Sequence, residues 1–364
     1  MALGVACTMQ ASAQIKPLRP ITTAVPFLRV APDARAGGMG DIGVATNPDA
    51  YSLFYNMGKV VFNEQKSGLG INYTPWLREL DLKDVYMMAA SGFYKLDDEQ
   101  AITAGFRYFS QGTVQLTDDV GNNLNTFKPN DLALEAGYSR KLSSKSGLGV
   151  SLRYINSKIT NGSADNKTGS SVAADIGFFS NQKNARGQGW NYGIALTNLG
   201  AKIGYTNTAD QKDYLPANLG IGIGYSAVFD DDNKISVGLD INKLMVPTPP
   251  DEADADAVAK YRTRSVASSW FKSFGDAPEG FSEELKEFQY GIGGEYTYND
   301  RFTLRAGYFN ENRLKGNRRY GTVGAGFMYK AASLNFSYLY ADNSAGNNAL
   351  NSTLRFSVVF NFMQ

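Results

Sequence analysis

From about residue 66 to the end of the chain, large apolar or aromatic side chains recur at every second position, the period of a strand with two unlike faces. The rows are Leu69/Ile71/Tyr73, Ile102/Ala104/Phe106/Tyr108, Leu132/Leu134/Ala136/Tyr138, Leu148/Val150/Leu152/Tyr154 and Val172/Ala174/Ile176/Phe178. They continue through Trp190/Tyr192/Ile194/Leu196, Leu219/Ile221/Ile223/Tyr225, Ile235/Val237/Leu239/Ile241, Tyr290/Ile292/Gly294/Tyr296 and Phe302/Leu304/Ala306/Tyr308. Val323/Ala325/Phe327/Tyr329, Leu334/Phe336/Tyr338/Tyr340 and Leu354/Phe356/Val358/Phe360/Phe362 complete the series. A further segment near 84 to 95 has ambiguous phase because Met87 and Met88 are both apolar, and with it the count is fourteen.

Gly, Ser, Asn and Thr fill the alternate positions, together with Arg107, Glu135, Arg153, Asp175, Asp240, Glu295, Arg305 and Arg355. A row facing lipid must be apolar and a row facing a lumen can be polar, so the pattern predicts an all-β fold: a 14-stranded antiparallel transmembrane outer-membrane β-barrel. A soluble β-sandwich also alternates, but its outer face is normally the polar one, and it seldom ends so many strands in tyrosine, a residue suited to the headgroup layer. Connections after even strands are short, such as Asn299-Asp300-Arg301. Those after odd strands are mostly long, about 110 to 130, 198 to 214 and 244 to 288. Short periplasmic turns and long external loops, with an even strand number, place both termini in the periplasm.

Two hairpins allow a register to be read. A turn centred on Ser144 makes 135 and 153 symmetric, and one centred on Asp300 does the same for 295 and 305. Glu135 is therefore expected to face Arg153, and Glu295 to face Arg305, inside the lumen.

Ahead of the strands, Ala11-Ser12-Ala13 matches a small-x-small processing site, so residues 1–13 are expected to be a truncated signal peptide carrying the sole cysteine, Cys7. Residues 14–65 form an N-terminal plug segment and 66–364 the barrel. In the plug, Gly37-Gly38-Met39-Gly40 lacks the Gly-Lys-Ser/Thr of a phosphate loop, and its glycines are expected to allow tight turns and close backbone contact. Within the external loop of about 244–288, Pro247-Thr248-Pro249-Pro250 breaks regular structure and Asp251 to Asp256 is acidic. Trp270, Phe271 and Phe274 follow, and then Phe281, Leu285 and Phe288 at i, i+4, i+7 predict a short amphipathic helix begun by Ser282, Glu283 and Glu284. These aromatics either bury themselves over the barrel mouth or form a partner-binding surface.

Composition agrees with short alternating strands: 38 glycines, 42 Tyr and Phe together, and mean hydropathy −0.30. A net charge of +1 gives no basic excess for nucleic acid. Without histidine, His-based hydrolysis and His-ligated zinc are excluded, and Asp251 to Asp256 lacks the Gly and Glu spacing of a calcium loop. No cofactor or catalytic site is expected.

Ala34-Arg35-Ala36-Gly37-Gly38-Met39-Gly40, then Asn47-Pro48-Asp49-Ala50, the fourteen strands and the ending Phe360-Asn361-Phe362 resemble the PorV family. These are outer-membrane components of the type IX secretion system, related to FadL-type channels; the large external loop separates them from PorQ and FadL relatives. The resemblance implies that Arg35, Gly37, Gly38, Gly40, Asp41 and Asn47 belong to a plug motif. It also implies a non-enzymatic role beside an SprA-like translocon, binding secreted cargo by its C-terminal domain and passing it to a PorU-like attachment protease, with outer-membrane lipid around the barrel. The alternative is a FadL-like transporter of hydrophobic small molecules. A continuous apolar tunnel with a lateral opening favours that alternative; a filled lumen with an aromatic outer rim favours client binding.

Overall fold

The structure, a computed structural model, describes residues 19–78, 81–118, 120–160, 166–207, 212–250, 253–341 and 350–362. The expected signal peptide over 1–13, together with Asp251 and Glu252 of the acidic stretch, lies outside the described residues.

Fourteen antiparallel strands close into one barrel. They are β1 Ser67–Pro75, β2 Val85–Lys95, β3 Gln100–Gln111, β4 Asn130–Lys141, β5 Ser146–Lys158, β6 Gly169–Lys183 and β7 Gly189–Gly200. Next come β8 Asn218–Val228, β9 Asn233–Leu244, β10 Phe288–Tyr298, β11 Phe302–Asn310, β12 Arg319–Tyr329, β13 Ala332–Ala341 and β14 Thr353–Phe362. Each strand pairs with its neighbours in sequence, and β1 closes the ring on β14 with Leu69 opposite Phe360. Closure removes the unpaired edges that a hydrocarbon environment cannot tolerate. Met87 resolves the ambiguous phase of β2 by turning inward, fully buried.

The two faces differ as the alternation requires. Leu152, Leu304 and Ile292 point outward and are exposed, whereas all eight strand charges face inward and are buried. Aromatic rings gather at both ends of the outer surface: Tyr73, Tyr86 and Tyr108 near the long loops, Trp190 with Tyr225 and Phe302 with Phe327 near the short turns. These are the two girdles of an interfacial aromatic belt. The three-residue turn between β10 and β11 places Asn299 and Asp300 at φ 51° and 48°, left-handed conformations that Asn and Asp tolerate best among residues with a side chain.

Residues 19–66 run through the lumen. The chain is tied at the long-loop end by Arg19 N–H to Leu314 O (3.1 Å) and Ala24 N–H to Tyr214 O (2.9 Å). It passes a 3₁₀ turn at Pro26–Arg29, the one-turn helix α1 (Ala34–Gly37) capped by Asp33, and 3₁₀ turns at Ser52–Phe54 and Met57–Phe62. At the short-turn end the Asn63 carbonyl accepts from Lys95 Nζ at 3.3 Å. An even strand number does put the start of β1 and the end of β14 on one face. The lumen crossing before β1 takes Arg19 to the opposite face, and the expectation of two periplasmic termini concerns residues 1–18, 363 and 364, which lie outside the described residues.

The long loop carries α2 (Ala255–Thr263), α3 (Val266–Lys272) and α4 (Phe281–Glu284), with Asp254 and Ser265 capping the first two. The expected helix through Phe288 is shorter than its periodicity suggested. It tightens to a 3₁₀ turn at Leu285–Glu287, and Phe288 opens β10 because its backbone pairs with Lys243 of β9. The loop after β3 also holds a small hairpin, Val114–Thr117 with Asn123–Phe127.

Candidate functional site

The lumen is filled by contact between plug and wall at backbone distance. Gly40 has φ +69°, and a Cβ there would meet the carbonyl oxygens of Ile292 and Tyr308 at 2.7 Å, so no other residue fits without displacement. Gly37 and Gly38 lie equally close: a Cβ on Gly37 would touch Arg355 Nη1 at 2.6 Å, and one on Gly38 would meet Gly324 Cα at 3.1 Å. Below them Tyr51, Leu53, Met57, Val60 and Val61 pack against Ala89, Phe93, Ala101 and Val359 of the wall.

Two charge networks lock this packing. Glu295 lies opposite Arg305 in the β10–β11 register and accepts from its Nε at 2.6 Å. The same carboxylate is gripped by Arg35 of the plug, Nε at 3.1 Å and Nη2 at 3.0 Å, whose Nη1 reaches Asp49 at 2.8 Å and the Asn47 carbonyl at 3.1 Å. On the far wall Glu135 lies opposite Arg153 across the β4–β5 turn. It accepts from Arg153 Nη2 at 2.8 Å and from Arg107 at 2.6 and 3.0 Å, and Arg153 also donates to Asp175 at 2.6 Å and to Asn198. Arg107 continues to the plug through the Leu28 carbonyl at 2.9 Å. Asp41 receives the Tyr320 hydroxyl at 2.6 Å with Arg355 at 3.6 Å, and the Asn47 side chain contacts Lys183 and Asn191. The expected pairs thus sit within larger clusters that include the plug.

Sequence reasoning missed a third network at the long-loop end. Lys243, at the top of β9, bonds Glu284 at 2.7 Å and Glu287 at 2.6 Å, and Lys315 bonds Glu283 at 2.7 Å and Glu287 at 2.9 Å. Thr248 donates to Glu287 at 2.8 Å. Burial alone would raise the Glu283 carboxyl, but the hydrogen bond from Lys315 and one from the Glu279 N–H hold it below the ordinary range. Burial would lower Lys315, and its bonds to Glu283 and Glu287 raise it instead. The signal lay in Glu283, Glu284 and Glu287, three acids within five residues that served only as a helix start in the pattern.

This latch fixes the base of the long loop while its apolar crown stays in solvent. Phe271 is 79% exposed, Phe281 77% and Phe274 42%, whereas Trp270 is half-buried. Phe274 and Phe288 flank the Lys243 ammonium at 5.3 and 5.7 Å. Among the described residues no cluster of His, Cys, Asp and Glu is arranged to hold a metal.

A closed barrel with an apolar outer belt, a lumen-filling N-terminal segment and elaborate loops at one end defines an outer-membrane transport barrel. The chain belongs to the PorV family: the family described as type IX secretion system protein PorV matches residues 12–251. The toluene transporter TodX of P. putida has TM-score 0.53 at 13% identity, covering 92% of this chain and 99% of that one. The CymD monoaromatic hydrocarbon channel gives 0.53 at 12%, covering 92% and 98%, and the Ralstonia pickettii toluene transporter TbuX 0.50 at 11%, covering 91% and 96%. At such identities the likeness is one of fold. No curated protein matches the chain by sequence.

Proposed function

We propose that this barrel is a docking component of protein secretion and not a pore. Its long-loop end faces the cell exterior and the end of β14 the periplasm. There it binds an SprA-like translocon and secreted clients through their C-terminal domains, and hands clients to a surface attachment complex containing a PorU-like protease. The observation that carries this reading is the solvent-exposed crown of Phe271, Phe274 and Phe281 on a loop pinned by the buried Lys243–Glu287–Lys315 network. Large apolar rings held rigid in water cost free energy until a partner covers them, and little ordering entropy is left to lose on binding. The alternative, passage of small hydrophobic molecules, would be favoured by an apolar path through the lumen. Plug glycines in backbone contact with the wall, and a cavity lined by arginines above them, argue against such a path.

The test replaces Trp270, Phe271 and Phe274 together by alanine and follows heat-resistant barrel migration, loop proteolysis and recovery of co-purified translocon and clients. Truncating an interface aromatic of this type costs about 2 kcal/mol or more, so partner recovery should fall at least tenfold with the barrel intact. Unchanged recovery would refute the docking role.

A further inference from the structure

Beneath the long loops, above α1, lies a cavity of about 70 Å³ whose wall carries Arg29, Arg107, Arg153 and Arg318 against Asp41 and Asp240. The acids are already engaged: Asp240 accepts from the backbone N–H groups of Gly43 (2.6 Å) and Val44 (2.8 Å), and Asp41 holds the Tyr320 hydroxyl. Three of the arginines are also matched, Arg107 to Glu135 and Arg153 to Asp175, both at 2.6 Å, and Arg318 to Glu311 at 2.8 Å.

Arg29 is different. Its one hydrogen bond runs from Nη2 to the neutral amide oxygen of Gln289 at 3.2 Å, and its Nε is buried without a partner. A half-buried guanidinium with a buried, unpaired Nε and no carboxylate within ion-pair distance keeps donors free, and its planar fork is suited to an oxyanion. Gln289 cannot supply the charge, because its own amide N–H donates to Glu311 at 2.7 Å, whose two oxygens are also taken by Arg318. Rotating Glu311 to Arg29 would strip Arg318, so Arg29 keeps no ion pair of its own in the cavity.

We infer that this cavity is a binding site for one small oxyanion, a carboxylate or phosphate group, with Arg29 as its principal ligand and Arg318 beside it. The site lies at the end of the barrel where the chain enters the lumen. Either a free anion or the phosphate of a lipid headgroup meets the chemical requirement.

Isothermal titration of the purified full-length barrel in an uncharged detergent tests the inference with three probes: inorganic phosphate, acetate and a soluble short-chain phosphatidic acid. Saturable 1:1 binding of at least one probe is expected. Arg29→Gln should weaken it at least tenfold, and Arg29→Lys, which keeps the charge, should retain a measurable part. Preference for inorganic phosphate or acetate identifies a free oxyanion, and preference for the phosphatidic acid a headgroup; both support the site. Absence of saturable binding for all three probes, or equal affinity in Arg29→Gln with unaltered heat-resistant migration, would overturn it. If Arg29→Gln fails to refold, the Arg29→Lys titration and the wild-type result decide the matter alone.

Discussion

Replacing Glu135 by leucine should be among the most damaging single changes in the wall. Its carboxylate accepts three charge-assisted bonds, at 2.6 and 3.0 Å from Arg107 and 2.8 Å from Arg153, and the side chains of Glu135, Arg107 and Arg153 are at most 2% exposed. Without it Arg107 keeps only the Leu28 carbonyl and the face of Phe54, while Arg153 keeps Asp175 and Asn198. Two guanidinia then share one carboxylate, and breaking a buried pair in this way costs about 3 to 5 kcal/mol. Were the site flooded by water, the same change would cost about 0 to 1 kcal/mol. Equilibrium urea unfolding in vesicles, followed by fluorescence of the three tryptophans, measures the difference. Adding Arg107→Leu removes the surplus cation, leaves the Arg153–Asp175 pair balanced, and should recover about 2 kcal/mol of the loss. A single-variant loss under about 1 kcal/mol at unchanged m, or a double variant no better than the single, would refute the sealed-lumen electrostatics.

Gly40→Val should displace the middle of the plug without opening the wall, because its side chain would collide with two strand carbonyls at 2.7 Å from a left-handed backbone. At about 1 to 3 kcal/mol for such strain, amide exchange over residues 39–44 should rise several-fold to a hundredfold while β10 and β11 stay protected; unchanged exchange at 39–44 would contradict the contact. The long-loop latch should respond to acid. The depressed Glu283 carboxyl contributes stability that is complete above its ordinary value of 4.5 and is lost as pH falls through the depressed one. The raised Lys315 contributes below its ordinary 10.5 and loses that contribution only above it. Amide hydrogen exchange over residues 276–287, normalised to the intrinsic exchange rate at each pH, should therefore increase below about pH 4.5 and remain flat from neutrality to pH 10; a flat profile down to pH 3 on a folded barrel would exclude the latch from holding the loop.

Strand phase and hairpin register were legible because each rests on local pattern. Gly and charge alternate with large apolar groups, and a short turn fixes which residues oppose, as with Glu135 and Arg153 or Glu295 and Arg305. Arg107 belonged to the same inward row, yet its bond to Glu135 was hidden because the loop of 110–130 leaves the β3–β4 register open. Contacts between plug and wall were illegible for a different reason. Arg35 and Glu295 are 260 residues apart, and no periodicity links an irregular segment to a strand. Arg29 was overlooked likewise: it sits in a 3₁₀ turn with no motif, and only the cavity shows its missing partner. The helix through Phe281, Leu285 and Phe288 failed at its last residue because pairing with β9 outweighed helical spacing.

The most direct test of the docking account places a photo-crosslinking amino acid at Phe271, which is 79% exposed on α3, and irradiates living cells. Docking through this loop gives crosslinks to a large translocon protein and to secreted clients, and none from the same residue placed at the lipid-facing position of Leu152. Crosslinks at position 271 only within the barrel's own chain, or only to lipid, in cells that secrete normally would contradict it.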